Sequence, residues 1–303
     1  MQGSAEYEAD RRRLRLRREG DRRQPGRLTL TLPPNFPRDV DVVATDFDRT
    51  LVWEDGQLRP RTLAALEATR AAGIDVIVVT GRMVQSVRRF LEPAQLGEPV
   101  ICYQGAVVAD AEGRWLRHEP IPLELAREAI GLVEGEGLAL NVYVDDELYV
   151  SKVTQGSRDY AGFQHLAIHE VGNLLDWLRE PPTKLVCVGD PKELDGVEAR
   201  LKAHFGDRLY ISKSLPYFLE FAAAGVTKGA GLDFLAAHMG FTRERTIAFG
   251  DGENDVELVE WAGFGVAVEN AHARVKAVAD WICPSADREG VAQVLEALLH
   301  SKR

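Results

Sequence analysis

The stretch Val42–Leu51 reads VVATDFDRTL, an apolar run that ends in two aspartates one residue apart, Asp46 and Asp48, followed at once by Arg49 and Thr50. The apolar part is read as a strand, and its carboxylates then stand at the strand's own C-terminal tip. Two readings of the pair stay open at this point. Carboxylates so placed are suited to hold a metal or attack a phosphorus, and Asp is also a residue that favours the turn after an ordinary strand.

Outward from this stretch, short apolar runs alternate with helical patterns. RTLAALEATRAAG follows as a helix, with Pro60 near its first turn and Gly73 at its end. IDVIVVT (Ile74–Thr80) is apolar without alternation, as expected of a parallel strand buried on both faces. EPVICYQGAVVAD reads as a further strand running on into a hairpin with AEG as its turn. TIAFGD (Thr246–Asp251), GFGVAV (Gly263–Val268) and WICP (Trp281–Pro284) continue the series, each separated by a helix-like segment. The pattern predicts an α/β fold with a doubly wound parallel sheet.

Between Pro120 and about Lys213 the character changes. LALNVYVDDELYVSKV alternates apolar and polar positions, and KLVCVGD, a helix through GVEARLKAHFG and RLYISK come after it. This predicts an inserted, smaller α/β module whose sheet exposes one face. Asp190 in LVCVGD is followed by Pro191 and reads as a turn residue. The expected division is a tail and linker over 1–37, a core over 38–120 and 214–303, and the insertion over 121–213.

Composition bounds the function. A chain of 303 residues with 45% hydrophobic and 28% charged residues is that of a soluble globular protein of one large or two moderate domains. The net charge of −10 argues against a general nucleic-acid binder. Residues Met1–Leu28 are the exception, with nine arginines against five acids. They read as a solvated tail, with a nucleic-acid or membrane-surface arm as the sharper alternative. Pro33–Arg38 (PPNFPR) reads as the linker that follows. Cys102, Cys187 and Cys283 each lie in a strand-like run, which suggests buried thiols in a reducing cytoplasm. No apolar run approaches the ~18 residues of a membrane span, so no membrane partner is expected. The histidines show no ligand spacing tied to the strand ends, and the Gly-x-Gly of GFGVAV lies inside a strand and reads as packing.

Ligands of an open parallel sheet sit outside the carboxyl ends of its strands. There the sequence supplies Asp46, Asp48 and Thr50, then Thr80, Gly81 and Arg82, then Gln104, and finally Asp251, Asn254 and Asp255, with Lys228 opening the helix KGAGLDFLAAH. Three gathered aspartates, Asp46, Asp251 and Asp255, repel one another, and an oxygen-preferring divalent cation such as Mg2+ relieves this. Thr80, Lys228 and backbone N–H groups then suit a phosphoryl group. Asp46 suits the attacking carboxylate and Asp48 the acid and base, a set that describes phosphoryl transfer through an aspartyl-phosphate.

These motifs resemble the haloacid dehalogenase superfamily, and within it the Cof-type phosphatases with a large α/β cap between the second and third motifs. DFDRT is similar to the family's DxDxT, TGR to its second motif, GVTKG to its lysine motif and GDGEND to its metal motif, and QGA resembles the usual NGA. The resemblance covers about Asp39 to His300 and leaves only the arginine-rich arm outside. It implies a Mg2+-dependent phosphatase acting on a small phosphorylated metabolite, and the cysteine usage adds the expectation that it is cytoplasmic. Its implied residues are Asp46 and Asp48 for catalysis, and Thr80, Gly81, Lys228 and Asn254 for phosphate. Asp46, Asp48, Asp251 and Asp255 are implied for the metal, and Arg49, Arg82 and Gln104 as candidate substrate contacts. A phosphosugar mutase and an idle binding protein are the alternatives on the same fold. Two residues depart from the pattern: Arg49 stands where glycine is commonest, either at the mouth facing an anionic substrate or pointing away, and Gln104 replaces the usual Asn.

Overall fold

The protein is described from a computed structural model over residues 30–301, except 93, 95, 97 and 98. The arginine-rich arm, Met1–Leu28, therefore lies wholly outside the described residues. The first module opens with β1 (Val42–Asp46), α1 (Pro60–Ala71), β2 (Asp75–Val79), α2 (Val84–Leu91) and β3 (Val100–Cys102), then the short strands β4 (Val107–Ala109) and β5 (Trp115–His118). The insertion comprises α3 (Leu123–Gly135), β6 (Leu140–Val144), β7 (Glu147–Val150), α4 (Gln155–Gln164), β8 (His169–Glu170), α5 (Leu174–Trp177), β9 (Lys184–Val188), α6 (Pro191–Phe205), β10 (Leu209–Leu215) and β11 (Phe218–Ala223). The first module resumes with α7 (Lys228–Met239), β12 (Thr246–Gly250), α8 (Val256–Trp261), β13 (Phe264–Val268), α9 (Ala273–Val278), β14 (Trp281–Cys283) and α10 (Gly290–Ser301).

Among the described residues the first module forms one sheet in the order β14-β13-β12-β1-β2-β3-β4-β5, parallel from β14 to β3 and antiparallel beyond. β1 is buried at every position because both of its faces are covered. Val42 and Ala44 fall in an apolar cluster with Leu232 and Leu235 of α7 and Leu258 of α8. Val43 points the other way, into the cluster that holds Leu66 of α1 and Leu295 of α10. A strand between two helical layers has no polar face, which is why its sequence runs apolar without alternation.

The inserted sheet runs β10-β11-β9-β6-β7-β8 and is antiparallel except for the β7–β8 pair. One face is packed by α3 and α6 through Ala129, Ile130, Val133, Leu194, Val197 and Leu201. Much of its other face is kept from solvent, contrary to the one-face-exposed sheet expected from the alternation. Asn141, Lys184, Ser212 and Glu220 occupy the alternate positions, and all four are buried. This face turns toward the first module, and Lys184 and Glu220 on it pair with each other and with Gly81 and Gln104 of that module.

Other expectations shift as well. The chain does not leave the second sheet at 213: β11 pairs antiparallel with both β10 and β9, so Phe218–Ala223 is a central strand of it. The proline-rich segment expected as a linker carries Phe36, which is buried and places its ring 4.9 Å from Phe264 and 6.0 Å from Trp281. Asp190 is an N-cap instead of a plain turn residue, accepting the N–H groups of Lys192 and Glu193 at the start of α6. The three cysteines are buried free thiols. Among the described residues no helix is long and apolar enough to cross a membrane.

Candidate active site

The carboxyl ends of β2, β1 and β12 lie side by side and deliver Thr80, Asp46 and Asp251 to one crevice. Lys228 enters as the first residue of α7, a helix start stabilised by the Thr227 side chain accepting the Ala230 N–H. Its Nζ donates to Oδ1 of Asp46 and to Oδ1 of Asp255, each at 2.5 Å, and all three residues are buried. The other oxygen of Asp255 accepts the backbone N–H groups of Asp251 and Gly252 at 2.8 Å, so Asp255 also shapes the turn that presents Asp251. Asp251 accepts from the Thr50 hydroxyl at 3.2 Å and has Arg49 Nε 3.8 Å away.

Three carboxylates with one ammonium among them leave a deficit of positive charge. Asp46, Asp251 and Asp255 each place an oxygen within 4.8 Å of the others. Burial, then repulsion from Asp255, holds the Asp46 carboxyl well above the usual range, with Lys228 opposing. Burial and Asp255 likewise push Asp251 up to about 7. Burial pulls the Lys228 ammonium down, but Asp255 and Asp46 outweigh it and hold it above its ordinary value. A buried all-oxygen donor set of three crowded carboxylates fits a hard divalent ion.

Asp48, expected among the metal ligands, does not join this group. Both its oxygens accept from Arg82, Nε at 2.7 Å and Nη2 at 2.6 Å. Arg82, expected as a substrate contact, is buried in this grip, with its guanidinium carbon 5.3 Å and 5.4 Å from the Phe47 and Phe90 ring centres. Its Nη1 also reaches Ser86 Oγ at 3.4 Å, and Ser86 donates in turn to the carbonyl of Gln164 in the inserted module.

The two departures from the family motifs have structural consequences. Arg49 has φ +62°, the left-handed conformation that glycine takes at least cost, and its carbonyl accepts from Asn270 Nδ2. Gln104 spans the crevice: its Oε1 accepts from Asn254 Nδ2 at 2.9 Å and its Nε2 donates to Glu220 at 2.8 Å. A Cβ on Gly81 would lie 2.5 Å from that Nε2, so glycine at 81 makes room for the bridge. Thr80 Oγ1 accepts the Arg82 N–H at 3.1 Å and keeps its own hydrogen to donate.

The inserted module contributes residues that the sequence reading missed. Lys184 donates to the Gly81 carbonyl at 2.7 Å and lies 3.3 Å from Glu220, whose other oxygen accepts from Ser214 at 2.5 Å. Burial lowers the Lys184 ammonium against the opposing pull of Glu220. Glu220, Ser214, Gln164 and Phe218 line the crevice with Asp46, Asp48 and Thr80 around a cavity of about 50 Å3. The available signal was a single charge within a strand of otherwise apolar character, Lys184 in KLVCV and Glu220 in FLEFAA.

A parallel sheet presenting acids and a helix-borne lysine beneath an inserted sheet defines a hydrolase of the phosphoryl-transfer kind. The sequence matches the family described as haloacid dehalogenase-like hydrolase over residues 43–295, and the chain belongs to that family. A Bacillus subtilis protein named 5-amino-6-(5-phospho-D-ribitylamino)uracil phosphatase YitU is 27% identical over 263 residues, covering 84% of this chain and 96% of its own. The HMP-PP phosphatase of Escherichia fergusonii is 28% identical over 239 residues, covering 78% and 86%. Among solved structures, TM0651 from Thermotoga maritima is 30% identical with a TM-score of 0.74, covering 85% of this chain and 97% of that one. A haloacid dehalogenase-like hydrolase from Bacteroides thetaiotaomicron is 27% identical with a TM-score of 0.76, covering 85% and 98%.

Proposed function

We propose that the chain is a phosphatase, dependent on a divalent cation and by preference Mg2+, that hydrolyses a small phosphorylated metabolite through an aspartyl-phosphate on Asp46. One observation carries the reading: Asp46 and Asp48, two residues apart, occupy different electrostatic settings. Asp46 is buried against Lys228 and two further acids, whereas Asp48 is gripped by Arg82 at the crevice edge. Divided settings for neighbouring carboxylates suit divided roles, and Lys228 together with a bound cation would keep Asp46 ionised for attack.

Asp46 and Asp251, with Asp255 beside them, would hold the cation, whose charge offsets that on the phosphoryl oxygens. Lys228 engages one Asp46 oxygen and steadies the carboxylate, so the other can attack phosphorus in line. As that O–P bond forms, the bond to the leaving oxygen breaks, and Asp48, carrying a proton on an oxygen that the bound ester frees from the Arg82 fork, gives it to this leaving oxygen. Thr80, with a hydroxyl hydrogen to donate, and Lys228 steady the transferring group. Asp48 then takes a proton from water as the water oxygen attacks phosphorus. The bond to Asp46 breaks and orthophosphate leaves.

The relatives are named for phosphorylated small molecules, which supports this substrate class. The test is a panel of phosphorylated metabolites incubated with Mg2+ and, in parallel, with excess chelator, reading inorganic phosphate. Release that depends on the cation is expected. No release from any ester, or full release in chelator, sinks the reading.

A further inference from the structure

We infer that Asp146, on the turn between β6 and β7 of the inserted module, is a positioning residue for the Arg82–Asp48 pair. The inference rests on the phosphatase reading above.

The start of α2 lacks a local cap. Met83 occupies the N-cap position and offers no side-chain acceptor, while the first N–H groups of a helix have no partner within it. Asp146 supplies the acceptors from the other module. Its Oδ1 accepts the Val84 N–H at 3.1 Å and its Oδ2 the Gln85 N–H at 2.8 Å. Gln85 returns the contact by donating its side-chain amide to the Asp146 carbonyl. A carboxylate there also meets the positive end of the helix dipole.

The same carboxylate reaches the neighbouring loop, because the Tyr103 hydroxyl donates to Asp146 Oδ1 at 2.7 Å. Arg82 lies between these two anchor points. Its carbonyl accepts the Tyr103 N–H at 3.0 Å, and α2 begins two residues after it. Asp146 thus closes a ring that runs through α2, Arg82 and Tyr103, and the guanidinium that grips Asp48 projects from that ring.

The turn itself does not call for this residue. Val144 pairs with Glu147, so Asp145 and Asp146 form a two-residue hairpin turn, with φ +51° and +60°. Both central positions being left-handed makes the turn of the type that prefers Asn-Gly, with glycine second. Aspartate at the second position adopts a conformation that glycine takes at less cost, and its three acceptor contacts account for its presence.

The test compares Asp146→Gly and Asp146→Asn in the full chain with Mg2+. The substrates are p-nitrophenyl phosphate, whose leaving group needs little help from an acid, and an alkyl phosphate that the wild type hydrolyses. Asp146→Gly should lose some Tm with its three acceptor contacts, offset in part because glycine suits the turn, and stay folded, yet lower kcat/KM for the alkyl ester at least ~10-fold more than for the aryl ester. Asp146→Asn, which keeps an acceptor oxygen and tolerates the turn, should recover most of the loss. Equal losses on both esters, unchanged kinetics in Asp146→Gly, or no recovery in Asp146→Asn overturns the inference. Should Asp146→Gly unfold, Tyr103→Phe removes only the phenolic donor, and an unchanged alkyl-to-aryl ratio in it overturns the inference equally. Absence of phosphate release by the wild type removes the phosphatase reading, and this inference with it. An active wild type whose ratio does not move leaves that reading standing and sinks this one alone.

Discussion

Arg82 and Asp48 are 34 positions apart in the chain and meet in a two-pronged contact, Nε to Oδ2 at 2.7 Å and Nη2 to Oδ1 at 2.6 Å. The planar fork fixes the carboxylate's orientation as well as its position, and a lysine at the same place holds a single point charge. On the reading above, the acid and base of the reaction is aimed by a residue that does not itself touch the reacting phosphorus.

Arg82→Lys should therefore lower kcat by at least ~10-fold while the fold persists, because a single ammonium does not orient Asp48. Steady-state kinetics beside circular dichroism checks it. A variant with wild-type kcat would show that the fork is dispensable.

Lys228→Met should abolish turnover and destabilise the metal-free protein by about 3–5 kcal/mol, since it leaves Asp46 and Asp255 buried with no ammonium between them. Divalent cation should restore part of the stability, as seen in denaturant titrations with and without Mg2+. Stability indifferent to the loss of Lys228 would contradict this account of the site.

The metal-free protein should lose stability as pH rises from about 5 to about 8, because carboxylates raised in the folded state bind protons that the unfolded chain has released. Asp46 is raised by burial and by Asp255, and Asp251 is pushed to about 7 by the same causes. Their contribution is complete below the ordinary carboxylate range and is lost as pH passes through the folded-state values. Saturating Mg2+ should flatten the slope by replacing those protons. Thermal melts in chelator across this range decide it, and a rising Tm would run against the prediction.

Asp46→Asn should be inactive yet folded, with metal-free stability unchanged or higher, since it removes one charge from a crowded acidic cluster. Rapid quench of the wild type during turnover, followed by peptide mapping, should place the phosphoryl adduct on Asp46. An adduct on Asp48 or on a histidine would overturn the assignment of the nucleophile.

Arg49→Gly should be more stable than Arg49→Ala by about 1 kcal/mol, because the backbone there is left-handed and a Cβ adds strain. Chemical denaturation of the two variants measures the difference. Equal stabilities would show that the loop relaxes at no cost.

By itself the sequence determined the layered sheet and most of the acidic site. Strands buried on both faces must be apolar throughout, so β1, β2 and β12 are visible as runs, and the residues that end them, Asp46, Thr80 and Asp251, arrive at one edge by topology alone. Lys228 was equally legible, as the first residue of a helix that follows a turn. Only the tertiary structure decided the partners. A lone charge in KLVCV or FLEFAA marks one face of a strand as unlike the other, but not whether that face meets water or a second polar face. Lys184 and Glu220 meet the first module. Asp48 pairing with Arg82, and Asp146 capping a helix of the other module, depend on how the two sheets are set against each other. That arrangement follows from the packing of the whole molecule, and no local stretch of residues encodes it.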